Sequence, residues 1–353
     1  MEDERLSSTS STDDENPSSK PSNRGDHNDH ELVMSEVHLG CPPNFSGPYV
    51  SHFTFPFPPP EVKKQSVVMN VEEKLSCQMM NLDEDGDLVL PRRSKQWNNV
   101  GMTIQHSITS SIPSVGLQVW KAELVLADFL LNSMFSSSDF DGVVAVELGA
   151  GTGLLGILLA RVAKTVFLTD HGEEVLKNCA LNVHRNLEAF KDHATSVFVR
   201  EVDCFNSWPP EVEQCHSSDE RFSWTPSEVE EAEGASLLLA ADVIYNDDLT
   251  DALFGTLQKL MSRGSTKVLY LALEKRYNFS LNDLDVVANG YSRFKSYLKD
   301  DTECSSLENS KSLCFVGKLI DLTDIPQYVR EYDRGNDVEI WQIRYVSPSN
   351  STS

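Results

Sequence analysis

Hydrophobic and polar positions along this chain change period several times from residue 87 onward. Short apolar runs typical of buried strands alternate with stretches whose apolar residues recur every three or four positions, which is typical of helices. The pattern predicts strands at residues 88–93, 100–108, 143–148, 165–169, 195–202, 236–243, 267–274, 313–320 and 338–346. It predicts helices at residues 117–134, 152–163, 176–190 and 248–262, and a further helix that ends at Tyr297.

Strands that alternate with helices indicate a parallel sheet covered on both faces. We therefore predict a doubly wound α/β fold. Its sheet should be mostly parallel, seven-stranded and Rossmann-like, preceded by a hairpin and a helix. The last two predicted strands follow each other closely, which favours an antiparallel edge.

Two segments lack such a pattern. Residues 1–65 begin with a Ser-, Asp- and Pro-rich stretch and end near an FTFPFPPP patch, which predicts an unstructured arm. Residues 209–234 contain eight acidic residues and one Arg without a convincing period, which predicts an acidic inserted loop. The expected organisation is an arm over residues 1–65, one domain over residues 66–347 and a tail over residues 348–353.

Composition narrows the classes of function. The chain has 353 residues, of which 40% are apolar, enough for a sizeable core. Its 54 acidic and 30 basic residues give a net charge of -24, which argues against gripping a nucleic-acid backbone and would attract a basic partner. No apolar run is long enough to span a membrane, and the N-terminus lacks the apolar core of a signal peptide. We therefore expect a non-exported protein.

Cysteine and acidic patterns give no support for a metal site. The seven cysteines form no CxxC motif, so we expect reduced thiols. The LDEDGDL segment at residues 82–88 has the acidic and glycine residues of a calcium loop, but Arg92 stands where the closing Glu is required. We expect no bound metal.

Ligands of open α/β sheets bind at the carboxyl ends of the strands. Here the first strand of the alternating region runs into ELGAGTG (residues 147–153), whose glycines can bring backbone N–H groups close to a ligand. Asp170 follows the second strand at an offset typical of a carboxylate that binds ribose hydroxyls. Asp203 follows the third strand, and Asp242 and Tyr245 follow the fourth.

Each feature alone has an ordinary structural explanation, since turns need glycine and an Asp after a strand often caps the next helix. Their joint occurrence favours a ligand site. Two cofactor classes remain open. A dinucleotide frame, GxGxxG, begins at Gly151, whereas the E-x-G-x-G-x-G frame of S-adenosyl-L-methionine (AdoMet) loops also uses Glu147 and Gly149 and is the better fit.

At these residues the chain resembles the seven-β-strand, AdoMet-dependent protein-lysine methyltransferases of methyltransferase family 16. The resemblance covers about residues 82–346. The stretches that carry it are VVAVELGAGTGLLG, FLTD, LLLAADVIYNDD and VGLQVWKAELVLADFL, with LDEDGDL at 82, FSWTPSEV at 222, NDDLTDALF at 246 and EKRYNF at 274 as further matches. It implies AdoMet as cofactor and methylation of a lysine ε-amine in a protein.

The resemblance also implies roles for individual residues. Asp242 would orient the substrate amine and Tyr245 would line its channel, as the two catalytic residues. No general base is expected, because His171 more plausibly begins a helix. The cofactor would contact Trp120, Glu147, Gly149, Ala150, Gly151, Gly153, Asp170, Asp203 and Ala241.

One position departs from the family pattern. Cys204 stands where the family has a Trp after the third-strand acid, and Trp208 lies four residues further on, so the contact with adenine stays open. Two other functions also stay open: an AdoMet-binding interaction module without turnover, and methyl transfer to a nucleophile other than lysine. The expected partner is a basic, lysine-containing protein associated with nucleic acid. We expect no direct contact with nucleic acid or membrane, a nuclear or cytoplasmic location and a monomer.

Overall fold

The computed structural model describes residues 32–42, 45–57, 98–190, 195–206, 208–212, 221–280, 285–300, 313–330 and 332–346. All of them belong to the larger of two compact units, residues 32–353. The predicted strand at residues 88–93, the LDEDGDL segment and the tail from residue 348 lie outside the described residues.

Strands and helices alternate along most of the described chain. The strands are β1 (Leu32–Met34), β2 (Tyr49–Phe57), β3 (Asn98–His106), β4 (Thr109–Ser111), β5 (Val144–Leu148), β6 (Thr165–Asp170), β7 (Ser196–Glu201), β8 (Leu237–Ala241), β9 (Val268–Glu274), β10 (Asn278–Ser280), β11 (Asp285–Val287), β12 (Leu298–Lys299), β13 (Cys314–Leu319) and β14 (Val338–Val346). The helices are α1 (Lys121–Ser136), α2 (Leu154–Leu159), α3 (Glu173–Arg185), α4 (Leu187–Phe190), α5 (Pro226–Glu233), α6 (Asp247–Met261) and α7 (Asn289–Tyr297), with a 3-10 helix at Ile112–Leu117.

Eight strands form the central sheet, in the order β12-β13-β14-β9-β8-β5-β6-β7. The five strands from β9 to β7 in this order are parallel to one another. β14 is antiparallel to both β9 and β13. The doubly wound α/β prediction and its antiparallel edge are therefore confirmed. The strand beyond the predicted seven is β12, which has only two residues.

The central strand β8 (LLLAA) is apolar throughout because helices cover both faces of the sheet. Along β8, Leu237 and Leu239 pack into a core that includes residues of α1, α2 and α3. Leu238 and Ala240 pack into a second core with residues of α5, α6 and α7. Successive side chains of a strand point to opposite faces, so a strand buried on both faces has no polar side.

The predicted unstructured arm contains two strands. β2 pairs with β3, and β1 pairs with β4. In β2 the side chains of Phe53 and Phe55 are buried, whereas those of His52 and Thr54 are exposed. This period of two was present in the sequence but was obscured by the prolines, which a strand with a free edge tolerates. The prediction of an unstructured arm is wrong for residues 32–57 as far as they are described.

Asparagine side chains of α3 hydrogen-bond to β3, the partner strand of β2. Asn182 Oδ1 accepts a hydrogen bond from Gln105 N at 2.7 Å, and Asn186 Oδ1 accepts one from Thr103 N at 2.8 Å. The amide nitrogens of Asn182 and Asn186 donate to the carbonyls of the same two residues at 2.9 and 2.7 Å. These side chains therefore occupy the place of a neighbouring strand. They supply partners that the backbone of a buried edge requires.

The predicted acidic loop over residues 209–234 contains helix α5. Thr225 caps this helix: its side chain accepts from Glu228 N, and the Glu228 side chain accepts from Thr225 N. Glu228 also accepts from Arg200 Nε at 2.9 Å. The loop prediction is therefore wrong for residues 226–233. The Thr-Pro-Ser-Glu sequence was a capping-box signal that the density of acidic residues obscured.

No helix within the described part of the chain is long and apolar enough to cross a membrane.

Candidate active site

A cavity of about 390 Å³ opens where the parallel strands β5, β6, β7 and β8 end. Ten of the sequence-predicted site residues line it, and Gly153 does not. Those that line the cavity are Trp120, Glu147, Gly149, Ala150, Gly151, Asp170, Asp203, Ala241, Asp242 and Tyr245. The fold therefore brings predicted site residues from five separate segments of the chain to one cavity.

The glycine loop between β5 and α2 has no room for a side chain at two positions. Gly149 and Gly151 have φ of 68° and 52°, in the left-handed region. A Cβ on Gly149 would lie 2.5 Å from Val243 Cγ1, and one on Gly151 would lie 3.0 Å from Gly116 O. Larger residues would push the loop away from the cavity wall.

Asp170 holds this loop to the end of β6. Its Oδ2 accepts a hydrogen bond from Gly151 N at 2.7 Å, and its Oδ1 accepts one from His171 N at 2.7 Å. The following helix, α3, has Gly172 at its N-cap without a side-chain cap, so Asp170 is not a helix cap. Burial raises the pKa of the Asp170 carboxyl. Each carboxylate oxygen retains a further acceptor site for a ligand.

Glu147 lies at the base of the cavity. Its Oε2 accepts from Gly156 N at 2.9 Å, which ties the end of β5 to the first turn of α2. Glu123 of α1 lies near it and accepts from Thr152 Oγ1 at 3.1 Å. Burial raises the pKa of both carboxyls, and that of Glu123 reaches about 8. Glu123 also lines the cavity and was missed by sequence reasoning.

The residues after β7 differ in their position relative to the cavity. Cys204 lines the cavity, and burial raises the pKa of its thiol to about 12. Trp208 is buried outside the cavity lining: its ring centroid lies 5.5 Å from that of Trp224 and its Nε1 donates to Glu233 Oε1 at 3.2 Å. Asp203 accepts from Phe205 N at 3.0 Å and therefore orders the turn beside Cys204.

Trp120 occupies the N-cap position of α1 and forms one wall. Its Nε1 donates to Val115 O at 3.2 Å, which fixes the indole plane. The guanidinium of Arg276 lies over this ring, with Cζ 4.7 Å from the centroid. His171, in contrast, is exposed at the rim, and its Nδ1 lies 3.3 Å from Glu201 Oε1. It precedes α3, near the position expected from the sequence.

Asp242 and Tyr245 follow β8 at the mouth of the cavity. Asp242 has a left-handed backbone with φ of 55°, and its N–H donates to Ala272 O at 2.9 Å. Its Oδ2 lies 2.5 Å from Arg276 Nη2. Tyr245 is exposed at the rim. A non-glycine residue with positive φ is uncommon and often marks a functional site.

Arg276 is the second residue that sequence reasoning missed. It comes two residues after β9, the fifth parallel strand, inside the EKRYNF stretch. The same rule that selected the ends of the other four strands applies to this one, because β9 lies beside β8 in the sheet. The signal was therefore in the sequence.

Burial raises the pKa of four carboxyls that line the cavity: Glu123, Glu147, Asp170 and Asp242. The guanidinium of Arg276 pairs with only one of them. Buried carboxylates without cationic partners are unfavourable unless protonated or joined by a positive ligand. The cavity is thus suited to a ligand that carries positive charge. No group of three His, Cys, Asp or Glu side chains among the described residues is arranged to hold a metal ion.

Comparison with known proteins agrees with this geometry. The model of the lysine methyltransferase family matches residues 96–288, more than half of the chain. The chain therefore belongs to the lysine methyltransferase family, as its sequence motifs indicated.

Individual relatives carry the same family assignment. Human methyltransferase-like protein 22 (Homo sapiens) is 35% identical over 266 residues, which are 75% of this chain and 62% of the relative. This confirms a resemblance to that protein already visible in the stretches at residues 82, 222, 246 and 274. Protein N-lysine methyltransferase METTL21A of Danio rerio is 30% identical over 53% of this chain and 67% of its own length. EEF1A lysine methyltransferase 3 of Mus musculus is 31% identical over 48% of this chain and 62% of its own length.

The chain spans less than two thirds of the length of human methyltransferase-like protein 22. Among solved structures, a magnesium protoporphyrin IX methyltransferase from Synechocystis PCC 6803 with bound S-adenosylhomocysteine matches 63% of this chain and 83% of its own length, with 10% identity and a TM-score of 0.34. That similarity is low, and the fold assignment rests on the strand order of this chain.

Proposed function

We propose that this protein transfers a methyl group from AdoMet to the ε-amine of a lysine in a protein substrate. The observation that carries the proposal is one cavity lined by the glycine loop, by Asp170 and by Asp242 with Tyr245 at the mouth. Membership of the lysine methyltransferase family supports both the cofactor and the reaction.

The lining residues fit AdoMet, which carries a sulfonium and an ammonium group. Burial favours the protonated forms of Glu123 and Glu147, and a cation bound in the cavity would shift both carboxyls toward their ionised forms. Asp170 retains acceptor sites for ribose hydroxyls. Apolar side chains of Val175, Val202, Leu249 and Leu253 line the same cavity and suit the adenine ring. When bound, AdoMet supplies an electrophilic methyl group.

Methyl transfer requires the lysine of the protein substrate in its neutral form. A lysine of pKa about 10.4 is neutral in roughly one molecule per few thousand at pH 7, a deficit of about 4–5 kcal/mol. A desolvated channel disfavours the ammonium and lowers that pKa. Asp242 accepts a hydrogen bond from the amine and orients it, and Tyr245 forms the wall of the channel. Orientation of the two reacting groups supplies much of the remaining acceleration.

The substrate we propose is a basic protein associated with nucleic acid, in the nucleus or cytoplasm. The net charge of -24 supports this choice, because a negative field raises the encounter rate with a positively charged partner. Steering of this kind fades when salt shortens the Debye length from about 8 Å to about 3 Å. We expect methylation of the protein substrate to slow steeply with added salt while AdoMet affinity changes little.

Cofactor binding is tested by thermal unfolding with AdoMet or NAD. A ligand at 100 times its dissociation constant stabilises a fold by about 2.7 kcal/mol. AdoMet should raise the melting temperature of the wild type and raise it less for Asp170→Ala, which loses a ribose acceptor. Glu173→Ala, on the exposed first turn of α3, is the matched control. A shift with NAD alone would contradict the AdoMet assignment.

Turnover is tested by incubating the protein with labelled AdoMet and a cell extract, followed by identification of the labelled residue. Label on a lysine supports the proposal. Label on another residue type would indicate a different nucleophile. Binding of AdoMet without label transfer to any protein would indicate an interaction module instead of an enzyme.

A further inference from the structure

Arg276 and Asp242 form an ion pair that further contacts hold in place. Asp242 follows β8 and its backbone N–H is held by Ala272 O of β9, at 2.9 Å. Arg276 follows β9, and its Nη2 lies 2.5 Å from Asp242 Oδ2. The opposite face of the guanidinium region is covered by Trp120, whose ring centroid lies 4.7 Å from Arg276 Cζ. The indole itself is held by Val115 O.

This pair leaves one carboxylate oxygen unused. Asp242 Oδ1 is buried and has no hydrogen-bond partner among the described residues. A buried hydrogen-bond acceptor without a partner costs more free energy when it is charged than when it is neutral. Native proteins therefore retain such an atom where a ligand or substrate will form a hydrogen bond with it. Asp242 lines the cavity, and a donor entering from there would supply the missing bond.

We propose that Arg276 is a positioning residue that holds Asp242 by one oxygen and reserves the other for the substrate amine. This inference rests on the proposed methylation of an amine. Arg276 binds no substrate in this role and acts through Asp242. The stack on Trp120 gives the guanidinium a fixed plane that a flexible ammonium lacks.

The charges around Asp242 explain why a cation is needed there. Glu123 of α1 faces it from one side, and Glu274 and Glu36 add negative charge from β9 and the N-terminal segment. Lys121 is paired with Glu274 and Glu36. Burial and these carboxylates raise the pKa of Asp242, and Arg276 opposes them. Removing Arg276 therefore raises the pKa of Asp242 further.

The test compares the wild type with Arg276→Gln and Arg276→Lys. For Arg276→Gln we expect kcat/KM toward the protein substrate to fall about 100-fold, the loss typical of a misplacement of about 1 Å. The acid limb of its pH–rate profile should move to higher pH, because Asp242 must be ionised to accept from the amine. Arg276→Lys, which keeps the charge, should restore most of the acid limb and only part of the rate.

Arg293→Gln is the matched control, since Arg293 forms an Asp–Arg pair with Asp251 at the same 2.5 Å, but on the exposed surface. It should leave the pH–rate profile unchanged. In the Asp242→Asn background, Arg276→Gln should add no further loss, because its effect passes through Asp242. Full additivity of the two changes, or an unmoved acid limb in Arg276→Gln, would overturn the inference.

A measurement that does not depend on methylation separates this inference from the proposed function. The pH dependence of unfolding free energy, compared between wild type and Asp242→Asn, reports the titration of Asp242. Arg276→Gln should move that titration to higher pH even if no substrate is methylated. A wild type that binds AdoMet and methylates nothing would remove the proposed function, whereas an unmoved titration of Asp242 would remove the role of Arg276.

Discussion

Two buried aspartates of this domain pair with arginines, and their surroundings differ. Asp128, in the middle of α1, accepts from Tyr328 N at 2.7 Å, Tyr332 Oη at 2.8 Å and Arg334 Nη2 at 2.7 Å. Asp242, at the end of β8, accepts from Arg276 and has an unused oxygen. Asp128 lies within a helix, whereas Asp242 has a left-handed backbone.

The difference shows how to tell a structural ion pair from a functional one. Every bond of Asp128 goes to the segment that follows β13, so this carboxylate fastens that segment to α1. Its hydrogen-bonding capacity is used within the protein, as is usual for buried polar groups. Asp242 has a strained backbone and an unsatisfied oxygen in a cavity wall, two features that cluster at functional sites.

The largest effect on stability should come from Asp128→Ala. Removing one partner of a buried ion pair destabilises a fold by about 3–5 kcal/mol, because the other charge and its neighbours lose their acceptor. Asp251→Ala, which removes an exposed pair with Arg293, should change the unfolding free energy by about 1 kcal/mol or less. Denaturant unfolding of both variants measures the contrast. Equal losses would mean that burial does not distinguish these pairs.

Asp242→Asn should have a large effect on activity and a small effect on stability, unlike Asp128→Ala. The substitution keeps the shape of the side chain but removes the charge that orients the amine, so we expect methyl transfer to fall by about 10²–10³-fold. The fold should persist, since no other segment depends on Asp242 as one depends on Asp128. Steady-state methylation and thermal unfolding check the two halves. Wild-type rates in a folded Asp242→Asn protein would refute the role.

Sequence reasoning found most of the site because the site obeys a rule of topology. Parallel strands end at one edge of the sheet, so the residues after β5, β6, β7 and β8 could be grouped without any coordinates. Arg276 escaped only because the rule was not extended to β9. Glu123 was harder, since a Glu within an apolar helix has no sequence pattern that shows which way it faces.

The errors in the fold have a common cause. Composition suggested an unstructured arm and a solvated acidic loop, yet both contain regular structure in the described residues. In each case a local signal was present: the alternation of Phe53 and Phe55, and the Thr225–Glu228 capping box. Such signals were outweighed by proline and charge content. The contacts that stabilise these segments, such as the Asn182 and Asn186 bonds to β3, are tertiary and invisible in one sequence.

Glu123→Gln should alter how stability depends on pH. The pKa of Glu123 is about 8 in the fold against 4.5 for the free side chain. A raised pKa means that the native state binds the proton more tightly, so its stabilising contribution is complete below about pH 4.5 and is lost as pH rises through about 8. Gln mimics the protonated form at every pH.

We therefore expect the unfolding free energy of the wild type to fall between about pH 4.5 and about pH 8, and that of Glu123→Gln to fall less. Glu173→Gln on the surface of α3 is the control and should follow the wild type. Saturating AdoMet should reduce the difference, because a cation in the cavity favours the ionised carboxyl. Identical slopes for wild type and Glu123→Gln would show that this carboxyl is already ionised at neutral pH.

The smallest expected effect concerns the partly buried pair of Glu228 and Arg200. Glu228→Gln keeps the cap of α5 in part but removes the ion pair, and it should destabilise the fold by about 1 kcal/mol. Its pKa is lowered in spite of burial, by Arg200 and the Thr225 backbone. The contribution is therefore present above the ordinary pKa of a Glu and is lost as pH falls through the lowered value, opposite in sign to that of Glu123.

Glu230→Gln, exposed on the same helix, is the matched control for Glu228→Gln and should leave stability within about 0.5 kcal/mol. Glu230→Gln also tests whether α5 contributes to electrostatic steering of the substrate. Glu231 bonds Thr165 and Glu233 bonds Arg263, so replacing all the acids of α5 together would disturb packing as well as charge. Only Glu230→Gln alters the field alone, and a steering role of α5 predicts a slightly weaker salt dependence of methylation in that variant. If Glu228→Gln changes the salt dependence without changing stability, its pairing with Arg200 is not maintained in solution.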